Sequence, residues 1–311
     1  GVDVGDARAP QAPPQQRNDP AGAHSGHRRE RRGAGLSAVG HPSDRPATAS
    51  PHAAIVAADP REPRRSATPP IAILSDIHAN RQALDAVLRA ARETGVSEVW
   101  CVGDVVGYGA DPSYCLATVM DRCSRCLAGN HDLGATGAAS LDVFADLARD
   151  AVVWTRGALG PAGLARLRRL VPADPDHAVP MYHASPRDPV WEYVLSVEQA
   201  RDALEARRIP LTLIGHTHIP SAWRLTPDGA MQQRVPPPAG PMPLTEGRWL
   251  VNPGSVGQPR DHDARAAWAV WDPEAGTVHF RRTPYDVAAA QNAILQAGLP
   301  ALLAHRLAEG R

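Results

Sequence analysis

The chain has 311 residues, 43% of them hydrophobic, and its 33 basic and 33 acidic residues cancel to no net formal charge. This length allows one or two cores, and the balanced charge argues against an obligate nucleic-acid partner, although not against a small phosphorylated substrate. There is no apolar run of about 18 residues that would predict a membrane span, and residues 1–30 contain no apolar stretch typical of a signal peptide. A cytoplasmic protein is expected.

Residues 1–68 differ in composition from the rest of the chain. They are rich in Pro, Gly, Ala, Ser and Arg, contain no Phe, Trp or Tyr, and show no hydrophobic period. Such a segment buries too little apolar surface to offset its ordering entropy, so a disordered tail is predicted ahead of a single domain at 69–311. The basic run at 27–32 is typical of either an anionic-surface contact or a solvated tail, and the second is favoured.

From Pro69 onward, apolar runs alternate with helical patterns. A run at 71–75 predicts a buried strand, Asn80 predicts a helix cap, and Gly95 predicts the end of that helix. The next elements are predicted as a strand at 99–102, a helix at about 112–122 and a strand at 125–128. These elements form a β-α-β-α-β unit.

The second half of the chain changes character. It is predicted to contain helical patterns at 141–170, strands at 181–182 and 211–214 around a helix at 196–208, short strand-like runs at 221–283, and helices from about 285 to 309. These patterns predict one α/β domain whose sheet passes from parallel units to antiparallel hairpins.

The four cysteines are too few for a disulfide framework in a chain of this length. Cys123 and Cys126 have metal or redox spacing. However, Cys126 falls in an apolar run that predicts a buried strand pointing away from Cys123. A structural role for both thiols is favoured.

Metal-ligand residue types follow five of the apolar strands. Sites in open α/β sheets form beyond the carboxyl ends of strands, so clusters far apart in sequence can converge there. In extended chain, residues i and i+2 project to one side, so each Asp-x-His or His-x-His pair can face one site. The clusters are Asp76-Ile77-His78, Gly103-Asp104, Asn130-His131, His183 and His216-Thr217-His218.

The ligand types indicate the metal. Carboxylate, imidazole and amide oxygen without thiolate favour Mn²⁺, Fe, Zn²⁺ or Ni²⁺ over a structural zinc site. A carboxylate shared by two ions is the usual way to hold them about 3.5–4 Å apart for displacement at phosphorus. Each motif alone is weak evidence for a metal site, since an isolated Gly-Asp is usually a turn. The prediction rests on all five motifs occurring in this order, each after a separate strand.

Together these motifs resemble the calcineurin-like metallophosphoesterase superfamily over about 70–283. The resemblance implies a four-layer αββα sandwich and two divalent metal ions, with Mn²⁺ favoured. It implies one ion held by Asp76, His78, Asp104 and His218, and a second held by Asp104, Asn130, His183 and His216. It further implies His131 as the catalytic histidine, with Asp132 as its possible partner.

Two segments indicate which branch of the superfamily the chain resembles. Gly103 to Gly109 lacks the Asp-Arg of Ser/Thr protein phosphatases and symmetrical diadenosine tetraphosphatases, and Asp132 stands where those phosphatases carry Glu. The chain is similar instead to bacterial and archaeal small phosphodiesterases and asymmetrical dinucleoside-polyphosphate hydrolases, although Ala184 replaces a glycine of that branch. Tyr108 is open to two roles, stacking on a base or packing its glycine-rich loop.

The implied reaction is attack on a phosphate ester by metal-activated hydroxide, with His131 as a general acid whose pKa is expected near neutrality. Arg187 and Arg260 are candidates for binding phosphate oxygens, and surface salt bridges are an equal alternative for each. The rival functions are a nuclease and a non-catalytic scaffold. The scaffold should have lost a ligand, but all seven are present.

Overall fold

The computed structural model describes residues 69–237 and 239–311. The tail predicted at 1–68 lies outside the described residues. Within the described ranges, no helix is long and apolar enough to cross a bilayer.

The first of two six-stranded sheets has the order β3-β2-β1-β11-β12-β9. Its first three strands are parallel, and the remaining pairs are antiparallel. Its strands are β1 (Ile71–Leu74), β2 (Glu98–Cys101), β3 (Arg125–Cys126), β9 (Met242–Pro243), β11 (Ala266–Asp272) and β12 (Thr277–Thr283).

The second sheet has the order β4-β5-β6-β10-β7-β8. Its three central strands are parallel, and its outer pairs are antiparallel. Its strands are β4 (Ala173–Asp174), β5 (Met181–Tyr182), β6 (Leu211–Leu213), β7 (Ser221–Leu225), β8 (Met231–Arg234) and β10 (Arg248–Asn252). Both sheets mix parallel and antiparallel pairs, as the strand pattern predicts. The prediction of a single sheet is wrong, because the short strands divide between two sheets.

Helices cover the outer faces of the sheets. The seven helices of the described ranges are α1 (Arg81–Glu93), α2 (Pro112–Arg122), α3 (Asn130–Thr136), α4 (Asp146–Leu167), α5 (Val197–Ala206), α6 (Val287–Gln296) and α7 (Ala301–Glu309). Asn80 caps α1 by accepting a hydrogen bond from the backbone N–H of Ala83 at 3.0 Å, as its sequence position predicts. Gly160 interrupts α4 with φ 59°, which accounts for the two helical patterns predicted there.

Three apolar clusters define the layers. Ile71 and Ile73 of β1 face the second sheet, while the alternate residues Ala72 and Leu74 face the helices that cover the first sheet. A third cluster lies between the second sheet and α5, where Leu204 packs. The resulting order of helix, sheet, sheet and helix confirms the four-layer αββα sandwich.

The cysteines are unpaired thiols within the helix-covered core of the first sheet. Cys123 and Cys126 pack against the same apolar cluster as Cys101, so the expectation that the first two point apart is wrong. A hydrogen-bonding contact with Cys101 and burial raise the pKa of the Cys126 thiol, and burial raises that of Cys123. Both thiols therefore stay protonated, as structural cysteines do.

Candidate metal centre

The seven side chains predicted as ligands lie together at one end of the sandwich. They come from the loops after β1, β2, β5 and β6 and from the first residue of α3, and each is at most 5% exposed. Two groups of carboxylates and imidazoles have ligand atoms within 4.8 Å of one another. They are Asp76, His78, Asp104 and His218, and Asp104, His183 and His216.

In the first group, two histidines face each other. The Nε2 atoms of His78 and His218 lie 3.0 Å apart. Nε2 of His218 is also 3.4 Å from Oδ1 of Asp76, and Nε2 of His78 is 3.6 Å from Oδ2 of Asp104. Four ligand atoms therefore surround one small volume.

Backbone carbonyls fix how these imidazoles are oriented. Nδ1 of His78 is 3.1 Å from the carbonyl oxygen of Val106, and Nδ1 of His218 is 2.7 Å from that of Gln258. A carbonyl only accepts, so each Nδ1 carries the proton and each Nε2 of the neutral ring presents a lone pair. Two lone pairs at 3.0 Å repel, and a cation between them removes the repulsion. The geometry of this group thus fits a metal ion.

The second group is built in the same way. His183 donates Nδ1–H to the carbonyl oxygen of Val102 at 3.0 Å, which turns its Nε2 towards Oδ1 of Asn130 at 3.1 Å and Oδ2 of Asp104 at 3.5 Å. Nε2 of His216 is buried without a partner among the described residues. Imidazole, carboxylate and amide oxygen thus converge again.

Asp104 belongs to both groups. Its Oδ1 accepts a hydrogen bond from the backbone N–H of His131 at 2.9 Å. Its Oδ2 has no hydrogen-bond partner among the described residues and lies at comparable distances from His78 and His183. One oxygen is therefore anchored, and the other is free to bridge two cations.

The backbone at these ligands is not extended. Asp76, His78, Asp104, His216 and His218 all have φ between 49° and 67°, in the left-handed region. The premise that i and i+2 converge because the chain is extended is therefore wrong, although the pairs do converge. Backbone hydrogen bonds between loops hold this costly conformation, for example from His78 N–H to the carbonyl of Asp104 at 2.9 Å.

The electrostatics of the cluster favour added positive charge. Burial, with the neighbouring charge of Asp104, raises the pKa of Asp76 to about 7, although His183 opposes this, and burial also raises the pKa of Asp104. Burial lowers the pKa of His78 and His218 well below the usual range, which keeps both rings neutral. Neutral imidazoles and unpaired carboxylate oxygens match the demands of a divalent cation.

His131 lies beside both groups. Its ring centroid is 4.3 Å from that of Tyr108 and 5.3 Å from that of Phe144, and Nδ1 is buried against Gly107 with no partner among the described residues. Burial, reinforced by Arg260, lowers the pKa of His131 well below the ordinary range. The expectation of a near-neutral pKa therefore does not hold for the free protein. Asn130 and His131 also begin a helix rather than continue an extended segment.

The Asp132 carboxylate accepts hydrogen bonds from backbone N–H groups. Its Oδ2 accepts N–H groups from Gly129 at 2.8 Å and Val105 at 3.1 Å, and Oδ1 accepts that of Val106 at 3.0 Å. The carboxylate thus ties the loop after β2 to the start of α3. Its described hydrogen bonds do not include His131, the partner that the resemblance implies.

The two candidate arginines differ in position. Arg187 forms ion pairs with Asp202 and Glu192 and is about half exposed. Arg260 instead lies beside the cluster, where burial and then its charge lower the pKa of the surrounding histidines, and its Nη2 is 3.4 Å from Oη of Tyr108. Tyr108 is 9% exposed and packs against His78 and His131, as expected for a residue that packs its loop.

Aromatic residues around the centre were not found by sequence reasoning. Tyr193 is 43% exposed, with its ring centroid 4.0 Å from that of His216, and Trp191 contacts Phe144, which in turn contacts His131. These residues lie in segments without a motif. Their only sequence signal is that aromatics, 5% of the chain, cluster shortly after His183.

Comparison with known proteins places this geometry in a family. A family model described as the calcineurin-like phosphoesterase superfamily domain matches residues 70–276. A metallophosphoesterase from Sphaerobacter thermophilus has 38% identity and a TM-score of 0.70, with 78% of this chain and 99% of that chain covered. The uncharacterized protein MJ0912 of Methanocaldococcus jannaschii is 34% identical over 247 residues, 78% of this chain and 98% of that protein. The hypothetical protein PH1004 from Pyrococcus horikoshii OT3 shares the fold, at 19% identity and a TM-score of 0.64 over 78% of this chain and 98% of that one.

Proposed function

The chain belongs to the calcineurin-like phosphoesterase superfamily and is a metal-dependent phosphoric ester hydrolase, and from this premise we propose a binuclear enzyme that cleaves phosphodiesters or dinucleoside polyphosphates. The observation that carries the proposal is Asp104, whose Oδ2 lies between the two ligand groups and has no hydrogen-bond partner in the described part of the chain. A shared carboxylate suits a pair of cations acting on one phosphate.

The proposed ligands divide into two sets with one member in common. Mn²⁺ is the favoured metal, with Fe, Zn²⁺ and Ni²⁺ as alternatives, because imidazole and oxygen donors suit all four. One ion is assigned to Asp76, His78, Asp104 and His218, and the other to Asp104, Asn130, His183 and His216.

The chemistry divides between the cations and the side chains. When bound, the two cations acidify a water molecule and neutralise charge on the phosphate oxygens. Arg260, which contacts the hydroxyl group of Tyr108, adds positive charge beside the metal centre. His131 supplies a proton to the departing oxygen, and Nε2 is the nitrogen for this step because Nδ1 is buried against Gly107.

The lowered pKa of His131 places a condition on that proton transfer. The free imidazole is uncharged at neutral pH because burial and Arg260 disfavour the imidazolium. A bound phosphate anion acts in the opposite direction, since opposite charge favours the protonated ring. Proton donation by His131 is therefore proposed to depend on bound substrate.

The substrate is proposed to be a small phosphorylated compound, with nucleotides included. The Gly107-Tyr108 segment and Asp132 depart from the protein-phosphatase pattern, which favours diesters or dinucleoside polyphosphates over phosphoproteins. Nucleic acid is not expected as an obligate partner because the chain has no net charge. We place the reaction in the cytoplasm, in keeping with four free thiols.

A substrate panel with Mn²⁺ tests the proposal. The panel compares diadenosine tetraphosphate, bis-p-nitrophenyl phosphate, p-nitrophenyl phosphate, single-stranded DNA and a phosphopeptide. We expect the first two to be turned over fastest, and diadenosine tetraphosphate to give AMP and ATP. Two ADP as the product, or preference for the phosphopeptide, contradicts the substrate class. One ion per chain under metal-replete conditions contradicts the binuclear centre.

A further inference from the structure

An aromatic side chain borders the metal centre on the side of His216. The Tyr193 ring lies 4.0 Å, centroid to centroid, from the His216 imidazole, and the two ring planes are inclined by 35°. His216 is 3% exposed, whereas Tyr193 is 43% exposed. One face of the Tyr193 ring therefore covers a proposed ligand of the second ion, and much of its other face is open to solvent.

This exposure sets Tyr193 apart from the other aromatic residues. All Phe, Trp and Tyr residues of the chain lie in the described ranges, and each of the others is buried or half-buried. An aromatic ring carries a large apolar surface, which is costly to leave in water and contributes strongly to binding when a partner covers it. The one exposed aromatic ring of the chain thus lies against the metal centre.

The loop that carries Tyr193 is held by hydrogen bonds within itself and by packing. Oγ of Ser185 accepts the backbone N–H of Asp188 at 3.1 Å, and Oδ1 of Asp188 accepts that of Trp191 at 3.1 Å. Val194 is 2% exposed and packs in the apolar cluster between the second sheet and α5. Tyr193 is therefore fixed between two anchored neighbours, and a group that binds on its open face pays little for ordering the loop.

The loop also places Tyr193 close to the reacting phosphate. It starts directly after the proposed ligand His183, and the Tyr193 ring returns to His216, a ligand of the same proposed ion. A phosphate held by the cations lies beside these two imidazoles, so an organic group esterified to it lies within reach of the open face of Tyr193. A flat aromatic face binds best to another planar ring, in an offset stack.

We propose that Tyr193 is a stacking platform for a planar ring of the substrate, such as a nucleobase, and that it selects nucleotide esters over phosphate esters of aliphatic alcohols. This inference rests on the proposed function, because it assigns the reacting phosphate to the metal centre. Tyr193 acts on specificity and holds neither a metal ion nor a transferred proton.

AMP and ribose 5-phosphate test the platform because they share the phosphate and the sugar and differ by the adenine ring. Their dissociation constants are measured by calorimetry on the Mn²⁺-loaded protein, which needs no turnover. We expect AMP to bind wild type about tenfold tighter than ribose 5-phosphate, within the range typical of a base stacked on an aromatic side chain. In Tyr193→Ala that ratio should fall towards one, and in Tyr193→Phe, which keeps the ring, it should stay at the wild-type value.

The matched control is Leu195→Ala, which truncates a 56% exposed apolar side chain of the same loop and should keep the wild-type ratio. Tyr193→Leu retains apolar bulk without an aromatic face and gives the same answer if the alanine variant folds poorly. Metal content is measured on each variant. A Tyr193 that only shields His216 would, when replaced, lower metal content and weaken both ligands equally, and that unchanged ratio overturns the proposal.

Three other results also overturn it: failure of AMP to bind wild type, equal binding of AMP and ribose 5-phosphate to wild type, and loss of the ratio in Tyr193→Phe. Diester hydrolysis by wild type is scored separately, so its absence counts against the proposed function and not against the platform.

Discussion

Gly129→Ala should empty the metal centre without removing a ligand. Gly129 has φ −101°, a conformation open to any residue, so the substitution adds no backbone strain. A Cβ atom there would lie 2.0 Å from Oδ1 and 2.5 Å from Cγ of Asp104. The methyl group therefore acts directly on the carboxylate proposed to bridge the two ions.

The size of the effect follows from these distances. Cβ contacts below 3.0 Å essentially do not occur, so the carboxylate must retreat by at least about 1 Å. Metal–ligand distances tolerate only about 0.2 Å, so neither ion keeps this ligand in place. Loss of an outer contact to a ligand costs about 10–100-fold, and displacement of the bridge itself should cost at least about 100-fold in turnover. Overpacking should lower the free energy of unfolding by about 1–3 kcal/mol.

Three measurements check the prediction: metal content per chain, hydrolysis of bis-p-nitrophenyl phosphate and thermal unfolding. Gly157→Ala is the matched control, because its Cβ would meet nothing within 4 Å in α4, and it should be neutral or slightly stabilising. Two ions and near-wild-type turnover in folded Gly129→Ala would refute the assignment of Asp104 as the bridge.

Four further substitutions separate the roles of the site residues. Asp104→Asn should lower the content of both metal ions, whereas His78→Ala should mainly lower one, as metal analysis can show. His131→Ala should retain both metals and lose about 10²–10⁴-fold on a nucleotide ester but much less on a nitrophenyl ester, whose leaving group needs no proton. Asp132→Asn should destabilise the fold by about 1–3 kcal/mol, measured by denaturant unfolding, because an amide NH₂ replaces one acceptor of three backbone N–H groups.

Asp104→Asn, His131→Ala and Asp132→Asn each have an outcome that would count against the role assigned to the residue. If Asp104→Asn loses only one metal ion, Asp104 is not the bridging ligand. If His131→Ala loses the same factor of turnover on both esters, His131 is not a general acid. Wild-type stability in Asp132→Asn would show that its backbone contacts contribute little. Asp142→Asn, in an exposed turn, is a control for the last measurement.

The sequence was sufficient to predict most elements because local signals agreed with the tertiary contacts. Asn80 caps α1 and Pro112 begins α2, both as their positions predict. The four-layer fold followed from the family resemblance and not from the strand pattern, which predicted one sheet. Strands as short as β5, two residues long, carry too little periodicity to show which sheet they join.

The convergence of the ligands was predictable from their positions after strands, but their environment was not. Their left-handed backbone depends on hydrogen bonds between loops, such as Gly257 N–H to the carbonyl of Asp76 at 2.9 Å, which no local pattern encodes. The lowered pKa of His131 is a consequence of burial. Arg187 and Arg260 had equal standing in sequence; the structure distinguishes them, because Arg187 pairs with Asp202 and Glu192 whereas Arg260 lies beside Tyr108 at the metal centre.

The central place of β1 has a consequence for how the protein is made. β1 pairs with β2 on one side but with β11 on the other, and the backbone oxygen of Asp76 accepts from Ser255 Oγ, 179 residues later in the chain. These contacts close very long loops, which slows folding relative to a chain of local contacts. During synthesis, β1 and the Asp76 loop cannot form all their contacts until β11 has left the ribosome. Until then the nascent chain exposes an unpaired, apolar strand edge, a state in which chaperone binding or aggregation competes with folding.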